Sequence, residues 1–254
     1  MTVLTGLANL GLGLVYLGIG VLIAIDLEGA MRRRGYSHFG VAWLSIMFTC
    51  GAHHLVHATH LLAEGRQVGG LDLLATAIGL PAGIVWAALR VEASRGGRGD
   101  RFIPGTPTWM RAGAAVCGAG AAVVVGGSLL ALRDLRYTDP RLLPNLVLVA
   151  LYIGIGAYLW RGQRRNRQVY GGWSASGLSL MMIFPTCALM HGVYVMYAAT
   201  ALFSPDYHGL WVDWIGVPAG LYFFWVVRGL ETGTVTDWNE RFEAIDDLAE
   251  PARA

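Results

Sequence analysis

Seven apolar stretches run through this 254-residue chain, and they restrict its folding more than any single motif does. They cover Val3 to Ile25, Phe39 to Leu62, Leu71 to Leu89, Ala112 to Leu132, Leu143 to Trp160, Ser174 to Phe203 and Leu210 to Val227. Each reaches the roughly 18 residues that a helix needs to cross the hydrocarbon core of a bilayer. The composition agrees: 55% of the residues are hydrophobic, 14% are charged, and the mean hydropathy is +0.49. A soluble domain of this length needs more polar surface than that. The expected fold is therefore an all-α membrane protein with seven transmembrane helices.

Arginine placement predicts the orientation, because short cytoplasmic loops carry the positive excess. Arg32, Arg33 and Arg34 follow the first stretch, Arg95, Arg98 and Arg101 the third, and Arg161, Arg164, Arg165 and Arg167 the fifth. Arg133, Arg136 and Arg141, after the fourth, argue the other way. The balance puts the N-terminus outside and the C-terminus inside a multi-pass protein of the plasma membrane. The first stretch lacks a basic leader and reads as an anchor rather than a cleaved signal. The net charge of +2 is explained by these loops and gives no reason to expect a nucleic-acid partner.

The first and fifth stretches match almost letter for letter. Asn9, Leu10, Tyr16, Gly18, Ile19 and Gly20 correspond to Asn145, Leu146, Tyr152, Gly154, Ile155 and Gly156, 136 residues later. At Thr49-Cys50 against Thr186-Cys187 the offset becomes 137, and it stays there between Ile78-Gly79-Leu80-Pro81-Ala82-Gly83 and Ile215-Gly216-Val217-Pro218-Ala219-Gly220. Two three-span units flanking one unmatched span have the same orientation across the membrane. The sequence thus predicts a 3+1+3 parallel repeat with a pseudo-twofold axis along the membrane normal. Its parts are residues 1–92, a cytoplasmic loop and linker helix at 93–140, residues 141–230, and an acidic cytoplasmic tail at 231–254. The loop from Arg95 to Pro107 reads as a flexible link, and the tail is too short for an enzymatic domain. The linker span, rich in Ala, Gly and Val and carrying Cys117, reads as a packing surface.

Chemistry concentrates in Cys50-Gly51-Ala52-His53-His54-Leu55-Val56-His57-Ala58-Thr59-His60. On a helix Cys50, His54 and His57 share one face, and His53, His57 and His60 an overlapping one. Ionisable groups at membrane depth are costly, so such a cluster calls for a partner, and a metal would satisfy it. His60 is nearest the outer surface, open to hydration. The second unit keeps Cys187 and His191 at the spacing of Cys50 and His54, while Tyr194 and Tyr197 replace His57 and His60. Thiolate with imidazole favours copper(I) or zinc. Met181, Met182 and Met190 add thioethers near the second pair. Asp72 and Asp213, at the starts of their spans, read as hydrated helix caps. Pro81 and Pro218 read as kinks. Trp43, Trp173, Trp211 and Trp214 read as interfacial anchors.

Cys50-Gly51-Ala52-His53-His54-Leu55 resembles the C-G-A-x-H-L motif in the second membrane helix of plant and cyanobacterial ethylene receptors. Asn9, Tyr16 and Ile19 resemble, in spacing, an acidic residue, a tyrosine and an isoleucine of their first helix. The resemblance covers residues 5–91 and again 141–230. It implies copper(I) on Cys50 and His54, with Asn9, Tyr16 and Ile19 lining an ethylene site. By the internal repeat it extends to Cys187, His191, Asn145, Tyr152 and Ile155. Asn9 and Asn145 stand where the family has an acidic residue, Ile78 stands where it has lysine, and no sensor or kinase module lies within these residues.

The expected role is that of a copper-dependent sensor or binding protein rather than an enzyme. Its ligand would be a small hydrophobic molecule such as ethylene, and a separate signalling protein would meet the acidic tail. Two other classes stay open. One is a copper or small-solute transporter of similar repeat architecture. The other is a redox protein with haem b between His57 or His60 and His191. Retinal chemistry is excluded, because all 19 Lys-plus-Arg residues are arginine and none can form a Schiff base.

Overall fold

The computed structural model describes residues 1–66, 68–131, 140, 142–200 and 211–237. Seven helices dominate it: α1 (Thr2–Arg34), α2 (His38–Leu62), α3 (Gly70–Ser94), α4 (Thr108–Ala131), α5 (Leu143–Tyr170), α6 (Ala175–Thr200) and α7 (Asp213–Thr232). Two short strands, β1 (Phe102–Pro104) and β2 (Gly172–Ser174), pair antiparallel. Among the described residues α1, α2, α3, α5 and α6 are long and apolar enough to cross a membrane, as a multi-pass protein requires. Arg133, Arg136, Arg141, the Leu210 start of the seventh stretch and the tail beyond residue 237 lie outside the described residues, as does the side chain of Cys117.

Local signals set the helix boundaries. Gly35 ends α1 and Gly171 ends α5 at positive φ, where a side chain would be strained. Ser37 caps α2, its hydroxyl accepting the Gly40 N–H at 2.9 Å. Helices α1 and α5 run on past their apolar stretches and carry their arginines outward on a continuous rod.

Helix α1 packs on α2 and α3, α5 on α6 and α7, α2 on α7, and α3 on α6. These contacts close a ring in the order α1, α2, α7, α5, α6, α3, while α4 lies against α6. Where α1 crosses α2 the contact falls on glycine. A Cβ on Gly13 would stand 3.1 Å from the Gly51 carbonyl oxygen, and one on Gly51 would stand 3.3 Å from that of Gly13. The glycine after Cys50 therefore permits the close approach that brings α1 against α2.

Inside the ring, Trp43 of α2 touches Trp86, Phe184 and Phe223, with ring centroids 5.2 to 5.5 Å apart. Trp43 is only 2% exposed and Trp173 3%, so these two belong to the interior and not to an interfacial belt. A period-based reading cannot separate the two roles, since both need a large apolar ring. Trp211, 63% exposed, and Trp214 do sit at the surface.

The stretch from Arg95 to Pro107 is also not a loose link. The β1–β2 pairing ties it to the chain between α5 and α6. Asp100 accepts from the Ser174 hydroxyl at 2.6 Å, the Ser176 N–H at 2.9 Å and the Arg101 N–H at 2.7 Å. Partial burial pushes the Asp100 carboxyl up, but these hydrogen bonds outweigh it and hold it below its ordinary range.

Candidate metal centre

Helices α2 and α6 bring Cys50 and Cys187 into the middle of the ring, 5% and 4% exposed. The two thiols are close enough to influence each other electrostatically. Each also has a tyrosine beside it: Cys50 Sγ is 3.4 Å from the Tyr152 hydroxyl, while Cys187 and Tyr16 line one small void, the Tyr16 hydroxyl being buried without a hydrogen-bond partner. Both cysteines are buried between the helices of the ring.

The pairing, however, is crossed. One small void is lined by Leu12, Tyr16, His54, Thr76, Cys187 and Met190. A second is lined by Cys50, His53, Leu148, Tyr152, His191 and Asp213. Cys50 thus shares its void with His191, and Cys187 shares its void with His54, whereas sequence spacing pairs each cysteine with the histidine one turn on. The one-turn spacing brings a side chain near its neighbour on the same helix. The contacts α2–α7 and α3–α6 then decide which void each side chain enters.

The histidine tautomers follow from the hydrogen bonds around them. The Asn9 amide nitrogen donates to the Thr5 carbonyl at 2.9 Å and to the Thr76 hydroxyl at 3.4 Å. Its carbonyl oxygen must then accept from His54 Nδ1–H, 2.8 Å away. The Asn145 amide nitrogen donates to Asp213 Oδ2 at 2.8 Å, so its oxygen accepts from His191 Nδ1–H at 2.6 Å. Asp213 Oδ1 in turn accepts from His53 Nδ1–H. Three buried imidazoles are therefore fixed through Nδ1, each by a side chain from another helix, which turns each Nε2 away from its anchor. This is how metal-binding histidines are oriented from their far side. The Nε2 atoms of His53 and His57 are buried with no hydrogen-bond partner. One donor atom from each of His53, His191 and Asp213 lies within 4.8 Å of the other two.

Other expectations need correction. Asp213 is no hydrated cap: at 2% exposure it is central to the site, and its signal in the sequence was an acid inside an apolar stretch. Asp72 does cap α3, accepting the Gly69 N–H at 3.1 Å, but it does so buried. Asn9 and Asn145 border neither void and act instead on the rings of His54 and His191. Ile19 and Ile155 are buried in the apolar core next to the tyrosines and also border neither void. His57 stacks edge-on with Tyr194 at 5.3 Å, one layer beyond His53. His60 is partly exposed, 3.7 Å from Glu64. Of Met181, Met182 and Met190, Met190 lines the void that holds Cys187. Met181 and Met182 line a separate cavity of about 270 Å³ with Trp109, Trp160 and Trp173.

Comparisons with protein-family models, with curated proteins and with solved structures find no match to this chain. The fold and site define the class without help: a multi-pass helical protein with a buried cluster of groups able to hold a metal ion.

Proposed function

We propose that this is a membrane copper(I)-binding protein whose two three-helix units, residues 1–92 and 141–230, form one shared ligand cluster. Residues 93–140 link the units and 231–254 form a cytoplasmic tail. All seven helices, α4 and α7 included, cross the membrane, with the N-terminus outside and a pseudo-twofold axis along the membrane normal. Support for the repeat comes from the voids, whose linings correspond at the sequence offsets: Tyr16 with Tyr152, His54 with His191, Thr76 with Asp213, Cys187 with Cys50. The biological role is sensing copper or a small olefin such as ethylene, with the output read by a separate signalling protein.

The observation that carries the reading is the pair of buried thiols, each with a tyrosine and an Nδ1-anchored histidine. Thiolate and imidazole suit copper(I). Copper(I), once held, supplies an open coordination position and filled d-orbitals to which an olefin can bond. The chain contributes Cys50, Cys187, His54 and His191 as ligands, Asn9 and Asn145 to aim the rings, and the aromatic layer around Trp43 to keep water out. A haem fits poorly. The second void offers about 10 Å³, the room of one water or ion, and the first offers essentially none, whereas small-molecule pockets run to about 300 Å³ or more.

Copper on the purified protein should fall sharply in at least one of Cys50→Ser and Cys187→Ser, as read by elemental analysis. Unchanged copper in both variants would overturn the proposal.

A further inference from the structure

The two voids share tyrosine, histidine and cysteine, but among their potential donor groups they part at two places. Where the first has Met190, the second has His53; where the first has Thr76, the second has Asp213. The two changes belong together, because His53 and Asp213 touch each other and come from different helices, α2 and α7. The Thr76 hydroxyl donates to the Asp72 carbonyl at 2.8 Å and receives the Asn9 amide, so a neutral group completes the first network. In the second, a carboxylate completes it, holding Asn145 and His53 together.

From this difference we infer that the two voids are metal sites of different charge: the Cys187–His54–Met190 void takes a monovalent soft ion, and the Cys50–His53–His191 void takes a divalent borderline ion such as zinc(II). The inference rests on the metal-binding reading above and deepens it. Uncompensated charge in a low-dielectric interior is expensive, so a buried ion and its ligands should sum to near zero. The first void offers a single anion, the Cys187 thiolate, which balances one positive charge. The second offers two, the Cys50 thiolate and the Asp213 carboxylate, which balance two. The donor types run the same way: thiolate, imidazole and thioether are soft, while one thiolate with two imidazoles is the mixed sulfur–nitrogen set that zinc accepts. His53 Nε2 points the same way, being buried without a hydrogen-bond partner while its Nδ1 is anchored by Asp213. Carboxylate behind imidazole behind metal is the usual arrangement at zinc sites.

The test offers copper(I) and zinc(II) together to the full-length protein in detergent and counts both by elemental analysis, with cobalt(II) replacing zinc in parallel as an absorbing probe. The wild type should retain one copper(I) and one zinc(II) per chain, and cobalt should show thiolate charge-transfer bands. Asp213→Asn keeps the shape and removes the charge, so zinc affinity should drop about 10- to 100-fold while copper stays bound. The His53→Met, Asp213→Thr double variant, which copies the first void, should lose zinc and keep copper, and retained copper shows that it has folded. Wild-type protein without zinc, or zinc affinity undiminished in both variants, overturns the inference and leaves the copper reading standing. Zinc bound in an Asp213-dependent way with copper absent throughout sinks the copper reading and the monovalent half of the inference, and leaves the divalent half standing. Neither ion bound sinks both.

Discussion

Asn145 donates no electron pair to either void, yet it governs how His191 presents one. Its amide is oriented by the Asp213 carboxylate, and its oxygen fixes His191 through Nδ1. Replacing Asn145 with alanine leaves the thiols in place but frees the imidazole to rotate and change tautomer. Losing such an outer partner typically weakens metal affinity by about 10- to 100-fold. Zinc(II) titration against a competing chelator should therefore give a weaker constant for Asn145→Ala with stoichiometry intact, and an unchanged constant would show that the amide does not orient the ring. The family resemblance led to Asn9 and Asn145 as ligand-lining residues; the hydrogen bonds make them positioning residues.

Between elements, the segment 95–107 is the place where a pH effect can be read cleanly. Asp100 is the acceptor that ties it to β2 and the start of α6. Since its carboxyl is held below the ordinary value, the folded segment binds that proton less readily than the unfolded chain does. The contribution of Asp100 is thus complete above the unfolded carboxylate value of about 4 and is lost as the pH falls through the lower folded value. Hydrogen exchange at the Ser176 amide, compared with Asp100→Asn at each pH, should show extra protection in the wild type from pH 5 to 8. That difference should vanish on acidification. A constant difference across the range would mean that the carboxylate is not what holds the segment.

For the whole molecule, the ring α1, α2, α7, α5, α6, α3 explains how two cysteines far apart in sequence come to lie near each other. One void takes Tyr16 and His54 from α1 and α2 and Cys187 from α6, and the other takes Tyr152 and His191 from α5 and α6 with Cys50 and His53 from α2, so both draw on the two ends of the sequence. The proposed orientation is testable on intact membranes: trypsin should cut the Arg161 to Arg167 segment in inverted vesicles and spare it in right-side-out ones. Cleavage only in right-side-out vesicles would reverse the topology.

Much of this was legible in the residues. Apolar length alone announced the helices, because a bilayer-crossing segment must be about 18 residues whatever it packs against. The cysteine–histidine spacing marked α2 and α6 as the chemical helices, because charge at membrane depth is too costly to be incidental. What the sequence could not decide was partnership across the ring. Whether Trp43 faces lipid or core, whether Asp213 caps a helix or anchors His53, and whether Cys50 joins His54 or His191 all depend on which helices become neighbours. Local periodicity fixes a side chain's direction about its own helix axis, and only tertiary packing determines what stands opposite.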